Sequence, residues 1–257
     1  MNAQQQWTAY YTILIREVLR FSRIWIQTIL PPVITTALYF IIFGNLIGPA
    51  IGEMEGYTYM EFIVPGLIMM AVITNSYANV VSSFYGSKFQ GNIAEMLVSP
   101  LPNWIIIAGF VSGGIARGMA VGFAVTLVSL FFSDLHVTHL GVMFTIGLLT
   151  STLFSLAGLI NGVYARSFDD ISIVPTFVLT PLTYLGGVFY SISMLPEFWQ
   201  KVSLLNPVLY MVNGFRYGIL GIADIPIWIS YLIIIGFITL LATFTLHLLN
   251  KGVGVRS

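Results

Sequence analysis

The chain has 257 residues, of which 57% are hydrophobic and only 8% are charged. A water-facing surface needs about a quarter of its residues charged, so a soluble globular protein is excluded and the sequence reads as an all-α integral membrane protein. Ten basic residues balance ten acidic ones and cysteine is absent, which leaves no cationic field for nucleic acid and no disulfide or thiol chemistry.

Residues 1–23 lack an apolar core and a small-residue cleavage site, so the first span is expected to stay uncleaved. Within them Trp7, Tyr10, Tyr11, Leu14, Ile15, Val18 and Leu19 recur at spacings of three and four, opposite Thr12, Arg16, Arg20 and Arg23. That periodicity predicts an amphipathic helix lying in the headgroup plane, separate from the first span.

The first span is expected over 24–43, kinked at Pro31-Pro32. A Gly/Pro-rich loop follows over 44–57. The second span, 61–85, carries Asn75, Asn79, Ser82 and Ser83 on one stripe, which is expected to face other helices rather than lipid. Residues 88–103 break the apolar pattern and enclose a short helix over 93–98, between Gly91-Asn92 and Ser99-Pro100.

The third span, 104–132, has Gly114, Gly118 and Gly122 at every fourth position, a face for close helix approach. Arg117 lies near its middle, where an unpaired guanidinium costs about 2.5–3.5 kcal/mol on insertion scales, so it is expected to face protein or water. The fourth span, 140–164, places Ser151, Ser155, Gly158 and Gly162 on one packing face. The fifth, 171–190, is expected to bend at Pro175 and Pro181. A last span over 227–249 precedes a tail over 251–257.

The stretch 179–218 is the least regular. It breaks at Gly186-Gly187, turns near Pro196 and again at Asn206-Pro207, and continues into an apolar run over 208–222 that is short for a span. With the N-terminus inside, Arg16, Arg20, Arg23, Lys88, Arg166, Lys251 and Arg256 fall on the cytoplasmic side, Lys201 and Arg216 outside, and Arg117 within a span. Treating 208–222 as a seventh span would put the Lys251/Arg256 tail outside. Six spans with a re-entrant outer hairpin between the fifth and sixth fit both length and charge. That hairpin contains Gly186, Gly187, Asn206 and Pro207, with Arg216 expected near the external headgroups.

None of the lysines, Lys88, Lys201 and Lys251, stands in a Gly-Lys-Ser/Thr phosphate loop, so the chain is expected not to hydrolyse ATP. The spans lack the paired midplane carboxylates of ion-coupled carriers. His136 and His139 share a loop while His247 lies at the opposite face, which is no metal site. A passive channel, a gradient-driven secondary transporter, or an anchoring or assembly role remain the rivals to a partner-driven transporter.

Four stretches, FIVPGLIMM (62–70), FQGNIAEMLVSPLP (89–102), FDDISIVPTFVLTPLTYLGGVFYS (168–191) and LNPVLYMVNGFRYG (205–218), resemble the type-2 family of ABC transporter permeases, and the likeness covers nearly the whole chain. The resemblance implies two copies of the chain pairing around a pathway in a bacterial inner membrane, with both termini cytoplasmic. A separate cytoplasmic ATP-binding subunit would hold ATP and Mg²⁺, no cofactor being bound by this chain. The expected cargo is a hydrophobic or amphipathic solute moved outward. The resemblance makes Asn92, Ile93, Glu95, Met96 and Leu97 part of a coupling helix that receives the ATPase's movement, with Glu95 as its polar contact. Arg16 and Arg20 would face the same partner or anionic lipid, and Asn75, Asn79 and Arg117 would line the pathway or the dimer seam.

Overall fold

The computed structural model describes residues 1–254; the tail residue Arg256, counted above, lies outside them. Helix α1 (Ala3–Arg23) opens on a capping box, in which Asn2 accepts from the Gln5 N–H at 2.8 Å and the Gln5 side chain accepts from Asn2 N at 3.0 Å. Its buried residues are Ile13, Glu17 and Phe21, whereas Trp7, Tyr11, Ile15 and Leu19 are exposed. The apolar stripe expected from periodicity is therefore not the face the bundle covers. Facing lipid costs an apolar side chain nothing, while a carboxylate must find partners, so the polar groups choose the inward face. Ile13 sits on Gly109 and Glu17 on Gly113, with the Tyr10 hydroxyl 2.9 Å from Ser112 Oγ. These pairs run along successive turns, so α1 lies lengthwise on the start of α5 (Asn103–Ser129).

Helix α2 (Trp25–Ile51) is interrupted at Ile29, directly before Leu30-Pro31-Pro32, as the missing proline donors require. It loosens to π geometry over Phe40–Ile47 and ends in a turn over Gly48–Ile51. The helix thus continues eight residues past the expected boundary at 43, because Pro49 falls in the first turn of its last segment, where a missing N–H is harmless. Only a small hairpin, Glu53–Met54 against Tyr57–Thr58, remains of the loop.

Helix α3 (Tyr59–Phe89) is the most enclosed of the long helices, and α4 (Asn92–Val98) follows it through Gly91, whose φ of +80° makes the sharp turn. Helices α5 and α6 (Leu140–Tyr164) pack on α3 through the small residues picked out by their spacing. A Cβ on Gly114 would lie 2.5 Å from Val80 Cγ2, one on Gly122 2.6 Å from Val72 Cγ2, and one on Gly158 2.6 Å from the Tyr77 carbonyl. Gly118 is filled in the same way by the Ser76 and Ser151 hydroxyls. Backbone contact on this scale is what a small-residue stripe provides in a membrane.

The expected fifth span is shorter than 171–190. Helix α7 covers 170–184 in three pieces, with π geometry over Pro175–Leu179. Fifteen residues rise about 22 Å, against an apolar bilayer core of about 30 Å. The chain then turns through Gly187 at φ +73° and passes a 3₁₀ turn over Ile192–Met194 into α8 (Glu197–Ser203), α9 (Pro207–Leu220) and α10 (Ile227–Lys251). Among the described residues five helices, α2, α3, α5, α6 and α10, are long and apolar enough to cross a membrane.

The ends of the bundle can be matched by contact. Asn103 at the start of α5 donates to Asn250 Oδ1 at the end of α10, at 2.7 Å. The last helix therefore finishes at the end of the bundle that carries α4. The opposite end joins Thr138 and His139, just before α6, to the last turn of α9.

Candidate functional site

Three groups of residues stand apart from ordinary helix packing. The first is α4. Ile93 is buried in an apolar cluster with Phe84, Ile105, Phe110, Leu159 and Leu248, and Met96 and Leu97 pack against it. Glu95 is exposed and Val98 is 88% exposed. This seven-residue helix is rooted by one face and bare on the other. The side chain of Asn92 turns back to Gln90, its Nδ2 3.2 Å from Gln90 Oε1. Beside α4, Lys88 Nζ donates to the carbonyls of Val163 and Ala165, both at 2.7 Å, and so closes the C-terminus of α6.

The second group is a line of charge on one side of α3. Glu17 is 1% exposed; Ser83 Oγ donates to its Oε1 at 2.6 Å, Arg20 Nη2 lies 3.3 Å from its Oε2 and Arg16 Nη2 3.6 Å from its Oε1. Arg20 Nη2 also donates to the carbonyl and the Oδ1 of Asn79, at 2.9 and 2.8 Å. Part of its guanidinium is thus held by the bundle, while 32% of the side chain stays exposed. Arg16 stays half-exposed over the Phe110 ring, at 5.6 Å. Farther along, Arg117 Nη2 donates to Asn75 Oδ1 at 3.2 Å. Asn75, Asn79 and Ser83 are buried against other helices, as their stripe predicted, and Ser82 bonds back to the carbonyl of Ala78 at 2.7 Å.

The third group belongs to α9. Arg216 is 3% exposed: its Nη2 donates to the Gly187 carbonyl at 2.6 Å, its Nη1 lies 3.6 Å from Asp224 Oδ2, and its guanidinium covers the Phe62 ring at 3.9 Å. The expectation of an arginine among external headgroups is corrected. Its charge is matched inside the protein, where a carbonyl, a carboxylate and an aromatic face replace its hydration. Asn206 is also buried; it caps α9 by accepting from Val208 N at 3.0 Å and donates to the Leu182 carbonyl at 2.7 Å. Pro207 occupies the first helical position, and Val208 fills the space beside Gly186. This stretch is an internal joint between α7 and α9, not a free turn. His139 stacks on Tyr217 with ring centroids 4.7 Å apart, while His136 Nδ1 lies 3.2 Å from the Asp134 carbonyl.

Glu17, Asp224 and Phe62 escaped the sequence reading as functional positions. Glu17 had a signal: it is the only acidic residue before Glu53 and stands three positions before Arg20. Phe62 is far from Arg216 in sequence, and Asp224, although only eight residues on, meets it only because the chain turns at Gly221.

The chain resembles known proteins over most of its length. The family model described as ABC-2 type transporter matches residues 8–220. The inner membrane transport permease YadH of Escherichia coli strain K12 is 60% identical over 252 residues, covering 98% of each chain. Nodulation protein J of Rhizobium leguminosarum bv. viciae is 22% identical over 222 residues, covering 85% of this chain and 86% of that one.

Proposed function

The chain belongs to the ABC-2 type transporter family, and from that premise we propose that it is the membrane half of an ATP-driven exporter that works as a pair of identical copies. The coarse part follows from membership: this is a multi-pass inner-membrane transport permease of an ABC transporter, a transmembrane subunit served by a separate ATP-binding subunit. In the finer reading, that subunit binds ATP and Mg²⁺ in the cytoplasm and docks on α4. Six spans are made by α2, α3, α5, α6, α10 and the shorter α7. Both termini are cytoplasmic, and α8 and α9 form a re-entrant element on the outer side. The cargo is a hydrophobic or amphipathic solute moved outward.

The observation that carries this reading is α4, anchored through Ile93 to the long helices while Glu95 and Val98 face outward. A push on that face has only the bundle to move. The test is to purify the chain with its ATP-binding subunit in lipid and substitute Glu95→Lys. The expected result is an assembled complex whose ATPase no longer responds to transported solute. Failure of the two subunits to associate, or an unchanged response in the variant, overturns the proposal.

A further inference from the structure

We propose, building on the permease reading above, that the cleft between α1–α2 and α3 receives the anionic headgroup of an amphiphile and that Arg117 is its innermost ligand. Two separate pockets, the chambers of this cleft, lie along the same side of α3. The first, of about 580 Å³, is lined by Arg16, Glu17, Arg20 and Arg23 from α1 and faces Ser83 and Gln90. The second, of about 380 Å³, is lined by Thr28, Thr35 and Thr36 of α2, Thr74 and Asn75 of α3, and Arg117. Between them, Arg20 bridges to Asn79. The arginines thus follow α3 from its Gln90 end toward Met70.

Charge decides the sign of the guest. Four arginines line the two chambers and one carboxylate opposes them. That carboxylate, Glu17, is already taken by Ser83, Arg20 and Arg16. Arg117 has no acidic partner among the described residues. It makes one hydrogen bond, to Asn75, and its buried Nε makes none. A guanidinium left this incomplete within a membrane helix marks a ligand position, and phosphate or carboxylate is the group its planar fork matches. Thr28 and Thr74 already donate to helix carbonyls, which leaves the hydroxyls of Thr35 and Thr36 as further donors to an oxyanion. The walls favour the other half of the guest: Pro31, Pro32, Tyr39, Met70 and Ala71 line the second chamber, a surface suited to an apolar chain rather than to a free ion.

Binding to the purified chain alone, in detergent, tests this by native mass spectrometry with dioctanoyl phosphatidic acid, dioctanoyl phosphatidylcholine and inorganic phosphate. Phosphatidic acid is expected to bind at least about tenfold more tightly than phosphatidylcholine, with a preference that shrinks as salt is raised. Arg117→Gln is expected to remove that preference, and Arg117→Lys to keep part of it. Equal binding of the two lipids by the unaltered chain overturns the proposal, as does a preference that survives Arg117→Gln. Competition by inorganic phosphate at the lipid's own concentration assigns the site to a soluble anion and overturns the amphiphile. The comparison of lipids on the unaltered chain stands even if a variant fails to fold. No ATP-binding subunit is involved, so a negative result here leaves the permease reading intact, and a failed complex leaves this result intact.

Discussion

Ser83 donates to Glu17 at 2.6 Å, across 66 residues of sequence, and so ties the helix that precedes the first span to the C-terminal half of α3. Removing one partner of a buried charged pair leaves the others unmatched, at a cost of about 3–5 kcal/mol. Glu17→Ala is therefore expected to lower the thermal midpoint of the detergent-purified chain sharply. Arg16→Ala, whose side chain is 41% exposed, should cost no more than about 1 kcal/mol. Equal effects of the two substitutions would show that the carboxylate is not the keystone.

The small-residue seam makes a contrast between glycines. Ala at Gly114 meets Val80 Cγ2 at 2.5 Å, and Ala at Gly118 meets the Ser76 hydroxyl. Overpacking of this kind costs about 1–3 kcal/mol. Gly236 in α10 has open space around it, so Gly236→Ala should be neutral or stabilising. Thermal unfolding of the three variants checks the order.

Arg216 and Asp224 form a pair whose members are 3% and 12% exposed. Arg216→Ala is expected to destabilise by about 3–5 kcal/mol, and Arg216→Lys to recover little, since an ammonium cannot both stack on Phe62 and reach Gly187. A double-mutant cycle with Asp224→Asn should give a coupling above about 0.5 kcal/mol. A coupling of zero would mean that the Phe62 ring and the Gly187 carbonyl do the holding.

Val98 is 88% exposed at the tip of α4. Val98→Asp is expected to leave the thermal midpoint of the isolated chain unchanged while weakening association with the ATP-binding subunit, measured by co-purification. A lowered midpoint with normal association would place Val98 in the fold instead.

Lys88 holds two carbonyls at the end of α6. Lys88→Met keeps the bulk and removes both donors, and should cost about 1–3 kcal/mol. The same variant, assembled with the ATP-binding subunit, should hydrolyse ATP with a weakened response to transported solute. An unaltered response would separate this clamp from coupling.

What the sequence made legible was local and periodic. Gly114, Gly118 and Gly122 announced the seam because close backbone approach leaves no room for other residue types. The helix over 92–98 was bounded by a glycine and a proline that can be read directly. Asn75, Asn79 and Ser83 had to face protein because lipid offers a polar group no partner. The inward face of α1 was not legible, since apolar periodicity reports burial only when the alternative is water. The place of Arg216 depended on Phe62, Gly187 and Asp224, which only the tertiary fold assembles. The break at Gly186-Gly187 was readable from the glycines, but not that α7 would already end at Tyr184 and leave the span short.

Helix α6 is fastened at both ends. Lys88 grips its last carbonyls beside α4, and at its start Thr138 N and His139 N donate to the carbonyls of Ile219 and Gly218 at 3.1 and 2.8 Å. Its 25 residues make a strut about 38 Å long, longer than the apolar thickness of a bilayer. A strut pinned at each end cannot tilt at one without carrying the other. A tilt of α6 at the Lys88 end would therefore displace the last turn of α9 at the other, so the two ends of the bundle share one lever.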